Sequence, residues 1–571
     1  MTGSERSADP VRDWKGDAWR LGFVLLLAIG LRAWMVANTT LVSRDCVKFV
    51  RDALHLEEPP AGMDRRDVIK NAEHPPGYPA AILAMSKLVR LRGGVTVETM
   101  ALSAQLVSAV AGVLLVIPLY LLVRRVFHRN VACSAATLFV SLPVCVEVTS
   151  DGISDGLYLL TAVWAMWFAV RALEQERPRA ACCYGLGAGL CLGVGYLVRP
   201  DAVIVAAATG LTLVGLLLRR RRDGGSIRPP LMAGVGLVVG MLALAGPYVW
   251  HIGKLTNKPT GNQVIEQMQG KESKPTYFQR SQLGAGRVPL ASWWDPAEAG
   301  DQSRAMWAVE ALAAEYWKTV HYSLIIFTLV GLYVVRQRLC DARVVYLLVV
   351  AIVHLTALWL LAWRIGYVSQ RHTLLTVMIS CILAAIAFPA LGVWAKQLWY
   401  TRTLARTGLR VFSAIGGKGW ARRAVHALRG ANIWFLAAIW TLLLLIPAIP
   451  RDFYSLHSER AGHKEAGKWL AENGDPQIGL VDPFGWAEWV SGRSLRESLV
   501  PNPYNGKPWY IVFEPNAKSP HSHLEYYEYA RKFVNEYKAE QIYQYPADAP
   551  PDEIKVAVYL YRPITKKLDK P

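Results

Sequence analysis

Cysteine is scarce in this 571-residue chain, which contains eight. None of them lies after residue 450, and most lie within long apolar runs. A small secreted domain held by disulfides needs paired cysteines at regular spacing, and a cysteine metal site typically shows a C-x-x-C pair. The sequence has neither pattern. We therefore expect the cysteines to pack between helices as small hydrophobic residues.

Charged residues are also few, at 19% of the chain, whereas hydrophobic residues make up 53% and the mean hydropathy is +0.22. Runs of about 17–25 apolar residues are what a bilayer requires of a spanning helix. Eleven runs qualify, with soft boundaries: 19–38, 99–123, 131–149, 154–173, 180–198, 201–218, 231–251, 321–336, 344–363, 372–394 and 431–449. The sequence thus predicts an all-α polytopic membrane protein.

The net charge of +19 does not indicate nucleic-acid binding, because the positive charges lie between the apolar runs. The basic clusters are Arg124, Arg125 and Arg129; Arg171, Arg177 and Arg179; Arg219 to Arg222 with Arg228; Arg336, Arg338 and Arg343; and the stretch from Lys396 to Arg429. If the runs are spans, all five clusters fall on one side of the membrane. The positive-inside rule places that side in the cytoplasm.

The first apolar run follows Arg12, Lys15 and Arg20 and has no A-x-A-like cleavage site after it, which favours an uncleaved signal anchor in the plasma or inner membrane. The expected organisation is a cytoplasmic tail (1–18), a membrane module (19–395), a basic cytoplasmic loop (396–430), a last span (431–449) and an extracytoplasmic domain (450–571).

The region after residue 450 differs from the rest in its pattern. A helical pattern at 459–472 precedes a short apolar run at 478–481, and two further strand-like runs, 509–513 and 556–561, flank an amphipathic stretch at about 522–538. This predicts a small α/β domain. It has no glycine-rich phosphate-binding motif and no G-x-S-x-G motif, so the sequence assigns it no chemistry.

The polar segment after the first run carries an acid, Asp45, close to the membrane. A charge beside hydrocarbon is costly, so Asp45 either marks the point where the chain leaves the bilayer or has a function. Apolar residues then recur at helical spacing and predict an amphipathic interfacial helix; they are Val47, Phe49, Val50, Ala53 and Leu54. The block His74-Pro75-Pro76-Gly77-Tyr78-Pro79 places an imidazole at the same boundary, in either a structural or a functional role.

Two turns add charges on the same face. The turn 149–155 contributes Asp151 and Asp155, and either Ser154 or Asp155 is also suited to cap the helix that follows. A second turn places Arg199 at the end of one run and Asp201 at the start of the next.

The hairpin 364–372 adds Arg371 and His372, while Arg364 is suited to reach lipid headgroups. A guanidinium offers a planar fork that matches phosphate oxygens. One acid and several cations on one membrane face therefore favour a reaction on a phosphate-activated lipid.

The order of these motifs resembles the polytopic GT-C glycosyltransferases, specifically bacterial relatives of protein O-mannosyltransferases and of lipid A aminoarabinose transferases. The resemblance covers roughly residues 19–395. It rests on an acid after the first span, His-Pro-Pro-Gly-Tyr-Pro, Ser-Asp-Gly-Leu-Tyr-Leu-Leu, Gly-Val-Gly-Tyr-Leu-Val-Arg-Pro-Asp and a late Gln-Arg-His.

The resemblance implies a GT-C fold and transfer of a sugar from a polyprenyl-phosphate donor to an acceptor hydroxyl on the non-cytoplasmic face. By position, Asp45 resembles the catalytic acid, a general base in an inverting displacement. The residues expected at the donor phosphate are His74, Arg199 and Arg371. Those expected to orient the reactants or to contact the acceptor are Asp155, Asp151 and His372.

Many relatives carry a second acid directly after the first, whereas Cys46 and Val47 follow Asp45 here. A divalent cation prefers several oxygen ligands, so transfer without a metal or other cofactor is favoured over a metal-dependent reaction. The acceptor is left open as a lipid, a glycan or a protein. Trp293-Trp294-Asp295 either stacks on a sugar or anchors at the interface.

The alternative function is a transporter or flippase for lipids or lipid-linked sugars. It would favour ionisable residues near the middle of the spans. The predicted spans are nearly free of charge, with Arg32 as the main exception.

Overall fold

The computed structural model describes residues 14–258, 291–294, 302–400, 432–493, 495, 507–515 and 527–563. The start of the chain, most of the 252–320 loop and most of the basic 396–430 loop lie outside the described residues.

Helices account for most of the described chain. Before residue 258 they are α1 (Trp14–Ala37), α2 (Arg44–Glu57), α3 (Arg65–Asn71), α4 (Gly77–Val89), α5 (Val97–Leu114), α6 (Val116–Val126), α7 (Arg129–Val140), α8 (Pro143–Val148), α9 (Asp155–Leu173), α10 (Pro178–Val198), α11 (Ala202–Arg222) and α12 (Arg228–Ile252). Later helices of the membrane part are α13 (Arg304–Thr319), α14 (Leu324–Val335), α15 (Ala342–Ile365), α16 (Leu374–Tyr400), α17 (Ile433–Leu445) and α18 (Ile449–Asp452). A two-stranded antiparallel ribbon joins β1 (Ala291–Trp293) to β2 (Tyr367–Ser369).

Eight described helices are long and apolar enough to cross a bilayer, or nine if the bent pair Arg304–Thr319 and Leu324–Arg338 counts as one span. The predicted fold class, a helical polytopic membrane protein, is confirmed. The predicted spans 131–149 and 431–449 correspond to shorter described helices, so the count of eleven stays a prediction.

The predicted span 131–149 is divided between α7 and α8. Pro143 has no amide hydrogen and its ring obstructs a continuing helix, so it begins a new one. At the break, Arg32 Nη1 donates a hydrogen bond to the carbonyl oxygen of Val140 at 3.0 Å, and Arg32 is 1% exposed. The charge within the first span therefore stabilises an interrupted helix.

Helices α10 and α12 pack through glycines. A Cβ on Gly185 or Gly189 would collide with the backbone of α12, and one on Gly236 or Gly240 would collide with the backbone of α10. Small residues four apart let two membrane helices approach closely, which compensates for the lack of a hydrophobic driving force in lipid.

The region after residue 452 is a small α/β unit, as predicted. Its elements are α19 (Ala461–Asn473), β3 (Gly479–Val481), α20 (Trp486–Val490), β4 (Trp509–Phe513), α21 (Tyr527–Asn535), β5 (Glu540–Tyr545) and β6 (Val556–Tyr561). The strand order is β3-β4-β6-β5, with β3 parallel to β4 and the other pairs antiparallel. Strand β5 was not predicted, because its residues are largely polar and half-exposed.

Helix α2 has the predicted amphipathic character. Its buried face consists of Cys46, Val47, Phe49, Val50, Ala53 and Leu54. Ser43 caps it, since the Ser43 side chain accepts a hydrogen bond from the Cys46 amide. Asp45 therefore lies in the first turn, where the helix dipole favours a negative charge.

Candidate functional site

One cavity of about 260 Å³ gathers charged residues from distant parts of the chain. Six of the seven predicted site residues line it: Asp45, His74, Asp155, Arg199, Arg371 and His372. Apolar residues from α9, α11, α15 and α16 complete its walls: Leu159, Ile204, Leu358, Leu361, Ile365 and Leu375. A polar end beside an apolar wall suits an amphipathic ligand such as a lipid phosphate.

Asp45 and Arg371 form an ion pair inside this cavity. Arg371 Nη1 donates to Asp45 Oδ2 at 2.7 Å, and the two side chains are 38% exposed for Asp45 and 28% for Arg371. These residues are 326 positions apart, and the N-cap of α2 and the hairpin after α15 bring them together. Both groups thus face the cavity and are accessible to a ligand.

The charge state of Asp45 follows from its surroundings. Burial alone would raise the pKa of this carboxyl group, but the charge and hydrogen bond of Arg371, with smaller contributions from His74 and Lys48, hold the pKa well below its usual range. Asp45 is therefore a carboxylate at neutral pH.

Arg199 lies between two acids. Its Nη1 is 2.6 Å from Asp155 Oδ1, and its Nε donates to Asp201 Oδ2 at 2.6 Å. The guanidinium is buried, and although burial lowers the pKa of Arg199, Asp155 and Asp201 raise it above its ordinary value. Burial would raise the pKa of Asp201, but Arg199 and the nearby Lys258 hold it well below its usual range. Arg199 and Asp201 therefore remain charged, and the two carboxylates offset the positive charge of Arg199.

Lys258 and Asp201 are cavity residues that the sequence did not single out. Burial and the neighbouring Arg199 lower the pKa of Lys258, while Asp201 opposes this. Lys258 adds a third cation to Arg199 and Arg371. Asp201 was visible beside Arg199 in the turn motif, whereas Lys258 gave no signal because it sits alone in a long loop.

His74 lies at the cavity wall, where its Nδ1 is 3.4 Å from Asp52 Oδ2 and its ring centroid is 4.5 Å from that of Phe49. Gly77, three residues after His74, explains this placement. A Cβ on Gly77 would lie 2.5 Å from the carbonyl oxygen of Leu197, so only glycine lets the block approach the end of α10. The close contact brings His74 to the same cavity as Arg199.

Lys48 and Glu73 form a second ion pair at the cavity, with Nζ and Oε2 3.2 Å apart and both side chains about two-fifths exposed. Burial would raise the pKa of Glu73, but Lys48 and His74 lower it. Lys48 lies on the polar face of α2, three residues after Asp45, and this spacing is a signal from which its place in the site could have been predicted.

Asp151 lies in a different place from the other predicted residues. It lines a second cavity, of about 240 Å³, that shares Ile153, Tyr367 and Arg371 with the first. His457 Nε2 lies 3.0 Å from Asp151 Oδ2, and the Ser43 amide donates to Asp151 Oδ1 at 3.0 Å. Asp151 therefore connects the segment before α2 to the segment before α19.

His372 lines the first cavity and also closes a local turn. Its Nδ1 is 3.3 Å from Ser369 Oγ and 3.4 Å from the Ser369 amide nitrogen. Its ring meets Tyr367 edge-on at 5.5 Å. These contacts fix the short helical turn 370–373 that presents Arg371 to Asp45.

Among the residues that the structure describes, no group of three or more His, Cys, Asp or Glu side chains is placed to hold a metal ion. Asp45 has Arg371 as its partner in place of a second carboxylate. Independence from a metal stays a prediction.

Trp294 packs against Trp307, with ring centroids 5.5 Å apart, and its amide donates to the Gly366 carbonyl at 2.9 Å. The Trp293 side chain and Asp295 lie outside the described residues. A role in sugar stacking is untested.

Part of the chain matches a known protein family. Residues 73–250 match the family described as dolichyl-phosphate-mannose-protein mannosyltransferase, a stretch that contains His74, Asp155 and Arg199 but neither Asp45 nor Arg371. No curated protein sequence gives a significant match.

Solved structures resemble the whole chain. The structure of ArnT from Cupriavidus metallidurans bound to undecaprenyl phosphate superposes with a TM-score of 0.55 at 13% identity, covering 95% of this chain and 98% of that one. The oligosaccharyltransferase AglB from Archaeoglobus fulgidus, in complex with an inhibitory peptide and a dolichol-phosphate, superposes with a TM-score of 0.53 at 13% identity, covering 98% of this chain and 75% of that one. These superpositions confirm the predicted GT-C fold.

Proposed function

We propose that this protein, which has the fold of the GT-C superfamily, transfers a sugar from a polyprenyl-phosphate donor to an acceptor hydroxyl, with Asp45 as the general base. The observation that carries the proposal is the Asp45–Arg371 pair in a cavity that is also lined by Arg199, Lys258 and Lys48. A base beside a cluster of cations and an apolar wall suits a reaction in which a lipid phosphate is the leaving group.

Arg371 connects the base to the leaving group. In the structure its guanidinium neutralises Asp45, which keeps Asp45 ionised but makes it a weak base. A donor phosphate entering the cavity competes for the same guanidinium, because Arg binds phosphate oxygens with a planar fork. As Arg371 turns towards the phosphate, Asp45 becomes more basic when the donor is in place.

The transfer step is an inverting displacement. The acceptor hydroxyl gives its proton to Asp45 while its oxygen forms a bond to the anomeric carbon. The bond from that carbon to the phosphate oxygen breaks, and the lipid phosphate leaves with the electron pair. Arg371, Arg199 and Lys258 stabilise the charge that develops on the phosphate.

The two cavities suggest separate approaches for the reactants. The first has the apolar wall that a polyprenyl chain requires. The second is of similar size, shares Arg371 with the first and is lined by apolar residues such as Val144 and Leu456 together with polar ones that include Asp151, Gln370 and His457. We assign the lipid donor to the first cavity and the acceptor to the second.

ArnT and AglB support a lipid-linked donor, since their structures contain undecaprenyl phosphate and dolichol-phosphate. The basic clusters between the spans support a cell-membrane location with the site and the C-terminal α/β unit outside the cytoplasm. The transporter alternative loses its main support, because Arg32 bonds a carbonyl at a helix break and does not line either cavity.

The test is turnover of labelled polyprenyl-phosphate sugars by purified protein with membrane lipids as acceptor. Wild type is expected to turn over at least one donor. Asp45→Asn is expected to lose about 100-fold or more in kcat, because an amide cannot take the proton. Asp548→Asn, the same change at an exposed acid of the C-terminal unit, is the matched control and should behave as wild type.

An Asp45→Asn variant with wild-type activity would remove Asp45 from the catalytic role. Movement of intact donor across a vesicle membrane without product would favour the transporter alternative.

A further inference from the structure

The segment 455–460, which leads from the last membrane helices into the C-terminal unit, runs beside the segment that precedes Asp45. Thr40 donates its amide to the Leu456 carbonyl at 2.9 Å, and Leu456 donates its own to the Asn38 carbonyl at 3.2 Å. Arg460 Nη1 donates to the Val42 carbonyl at 3.2 Å. Three hydrogen bonds therefore fix the chain immediately before α2.

His457 stands at the centre of this segment in a strained conformation. Its φ and ψ angles are 57° and 38°, in the left-handed region that favours glycine. The imidazole is 11% exposed and contacts carboxylates on both sides, with Nε2 3.0 Å from Asp151 Oδ2 and Nδ1 3.4 Å from Glu459 Oε1. Other non-glycine residues, including Lys538, adopt similar angles, so the two carboxylate contacts, and not the backbone angles alone, indicate a role for the His457 side chain.

Asp151 connects His457 to helix α2, which carries Asp45. Its Oδ1 accepts hydrogen bonds from the Ser43 and Gly152 amides, both at 3.0 Å. Ser43 is the N-cap of α2, and Asp45 lies two residues later. A Cβ on Gly152 would collide with Cys46 Sγ, so the turn also packs directly on the first turn of α2.

We propose that the C-terminal unit positions the general base: His457 holds Asp151, Asp151 holds the Ser43 cap, and the cap sets the place of Asp45 beside Arg371. This inference rests on the proposed function for the catalytic role of Asp45. Neither His457 nor Asp151 lines the first cavity, which contains Asp45, but both line the second, so a positioning role requires that their loss leave the acceptor KM as well as the donor KM unchanged.

The contact depends on protonation. The charged groups around His457 are Asp151, Glu147, Glu459 and Arg460. Burial and Arg460 would lower the pKa of His457, but the carboxylates outweigh them and raise it. Because the folded pKa is raised, the charged contact is complete below the ordinary pKa of histidine and weakens as pH rises through the folded value.

The test compares His457→Gly with Lys538→Gly, the same change at an exposed residue with φ 52° in the C-terminal unit. Glycine suits the left-handed backbone at both positions, so a loss in His457→Gly comes from the missing imidazole and not from backbone strain. We expect His457→Gly to lower kcat about tenfold and leave the donor and acceptor KM values within about twofold, since a misplaced base slows chemistry more than binding. Lys538→Gly should leave all three constants unchanged.

Two further variants make the result specific. His457→Gln keeps a hydrogen-bond donor towards Asp151, so it should recover part of kcat. In wild type, kcat should fall at alkaline pH as the imidazole loses its proton, and this fall should be absent in His457→Gln. The double variant Asp151→Asn with His457→Gly should be no slower than the slower single variant, because residues that act as a unit are not additive. Wild-type kcat in His457→Gly, or multiplied losses in the double variant, would overturn the proposal.

Amide hydrogen exchange of residues 40–47 tests the same contact without turnover. Faster exchange in His457→Gly than in wild type supports positioning, and equal exchange contradicts it. If wild type turns over no donor, the proposed function fails, and the exchange result alone decides whether this contact fixes α2.

Discussion

At the scale of single residues, two anions compete for the Arg371 guanidinium. It neutralises Asp45 at 2.7 Å in the structure, and in the proposed reaction it neutralises the departing phosphate. A guanidinium suits both tasks, because its planar donors match carboxylate and phosphate oxygens alike. These are hydrogen bonds, so Arg371 can exchange one partner for the other.

Arg371→Gln should slow transfer and shift its pH dependence. Loss of one cation at the leaving group is expected to lower kcat about 100- to 1,000-fold. The folded pKa of Asp45 is depressed, so in wild type the carboxylate is lost only as pH falls through that low value. Without Arg371, burial is less opposed, and the acid limb of the pH–rate profile should move to higher pH.

The control for this prediction is Arg364→Gln in the same hairpin. Arg364 lies over the Trp363 ring at 4.2 Å and does not line the cavity. The pH–rate profile of Arg364→Gln should match that of wild type. An acid limb that stays in place in Arg371→Gln would show that Arg371 does not set the ionisation of Asp45.

Arg199→Gln should destabilise the fold as well as weaken donor binding. The change leaves Asp155 buried without its cation and deprives Asp201 of its partner, and breaking a buried pair in this way costs about 3–5 kcal/mol. Thermal unfolding in detergent measures the effect. Arg220→Gln is the matched control at the other end of α11, where the partner Glu176 is 78% exposed and the expected cost is about 0–1 kcal/mol.

At the scale of helices, the contact between α10 and α12 depends on the absence of side chains. Gly189→Ala places a methyl group against the Leu237 carbonyl, so the helices must separate and the expected cost is about 1–3 kcal/mol. Gly210→Ala in α11 adds the same atom where no other heavy atom lies within 4 Å. Thermal unfolding should separate the two variants, and equal stability would contradict the close packing.

The helices were largely predictable because a bilayer requires long apolar runs, and α2 was predictable because its apolar residues recur at helical spacing. The division of 131–149 was not predicted, although Pro143 is the residue that causes it. Hydropathy does not distinguish a continuous helix from one interrupted by a proline, and the Arg32 contact that stabilises the break is 108 residues distant in sequence.

At the scale of the whole molecule, the grouping of Asp45, His74, Arg199 and Arg371 in one cavity was expected from their shared side of the membrane. The pairings within it were not, because Arg371 joins Asp45 and Arg199 joins Asp155 only through the packing of distant spans. The link from His457 to Asp151 was also missed, since the sequence assigned the C-terminal domain no chemistry.

Removal of divalent cations should leave transfer unchanged. In the proposed reaction, Arg371, Arg199 and Lys258 supply the charge that a metal would supply at the phosphate, and Cys46 follows Asp45 where many relatives of the resembled family carry a second acid. Turnover before and after chelator treatment measures this. Loss of activity that Mg²⁺ or Mn²⁺ restores would overturn the prediction.

The last prediction concerns the topology of the chain in the membrane. The positive-inside rule places the basic loop that contains Cys340 in the cytoplasm and the C-terminal unit outside. Lys468→Cys, at an exposed position of α19, should react with a membrane-impermeant maleimide in intact cells, whereas the exposed Cys340 should react only after permeabilisation. Replacing Cys340 by serine provides the background for the first measurement. Labelling of Cys340 in intact cells would invert the topology and place Asp45 on the cytoplasmic face, where the proposed donor and acceptor assignments would no longer hold.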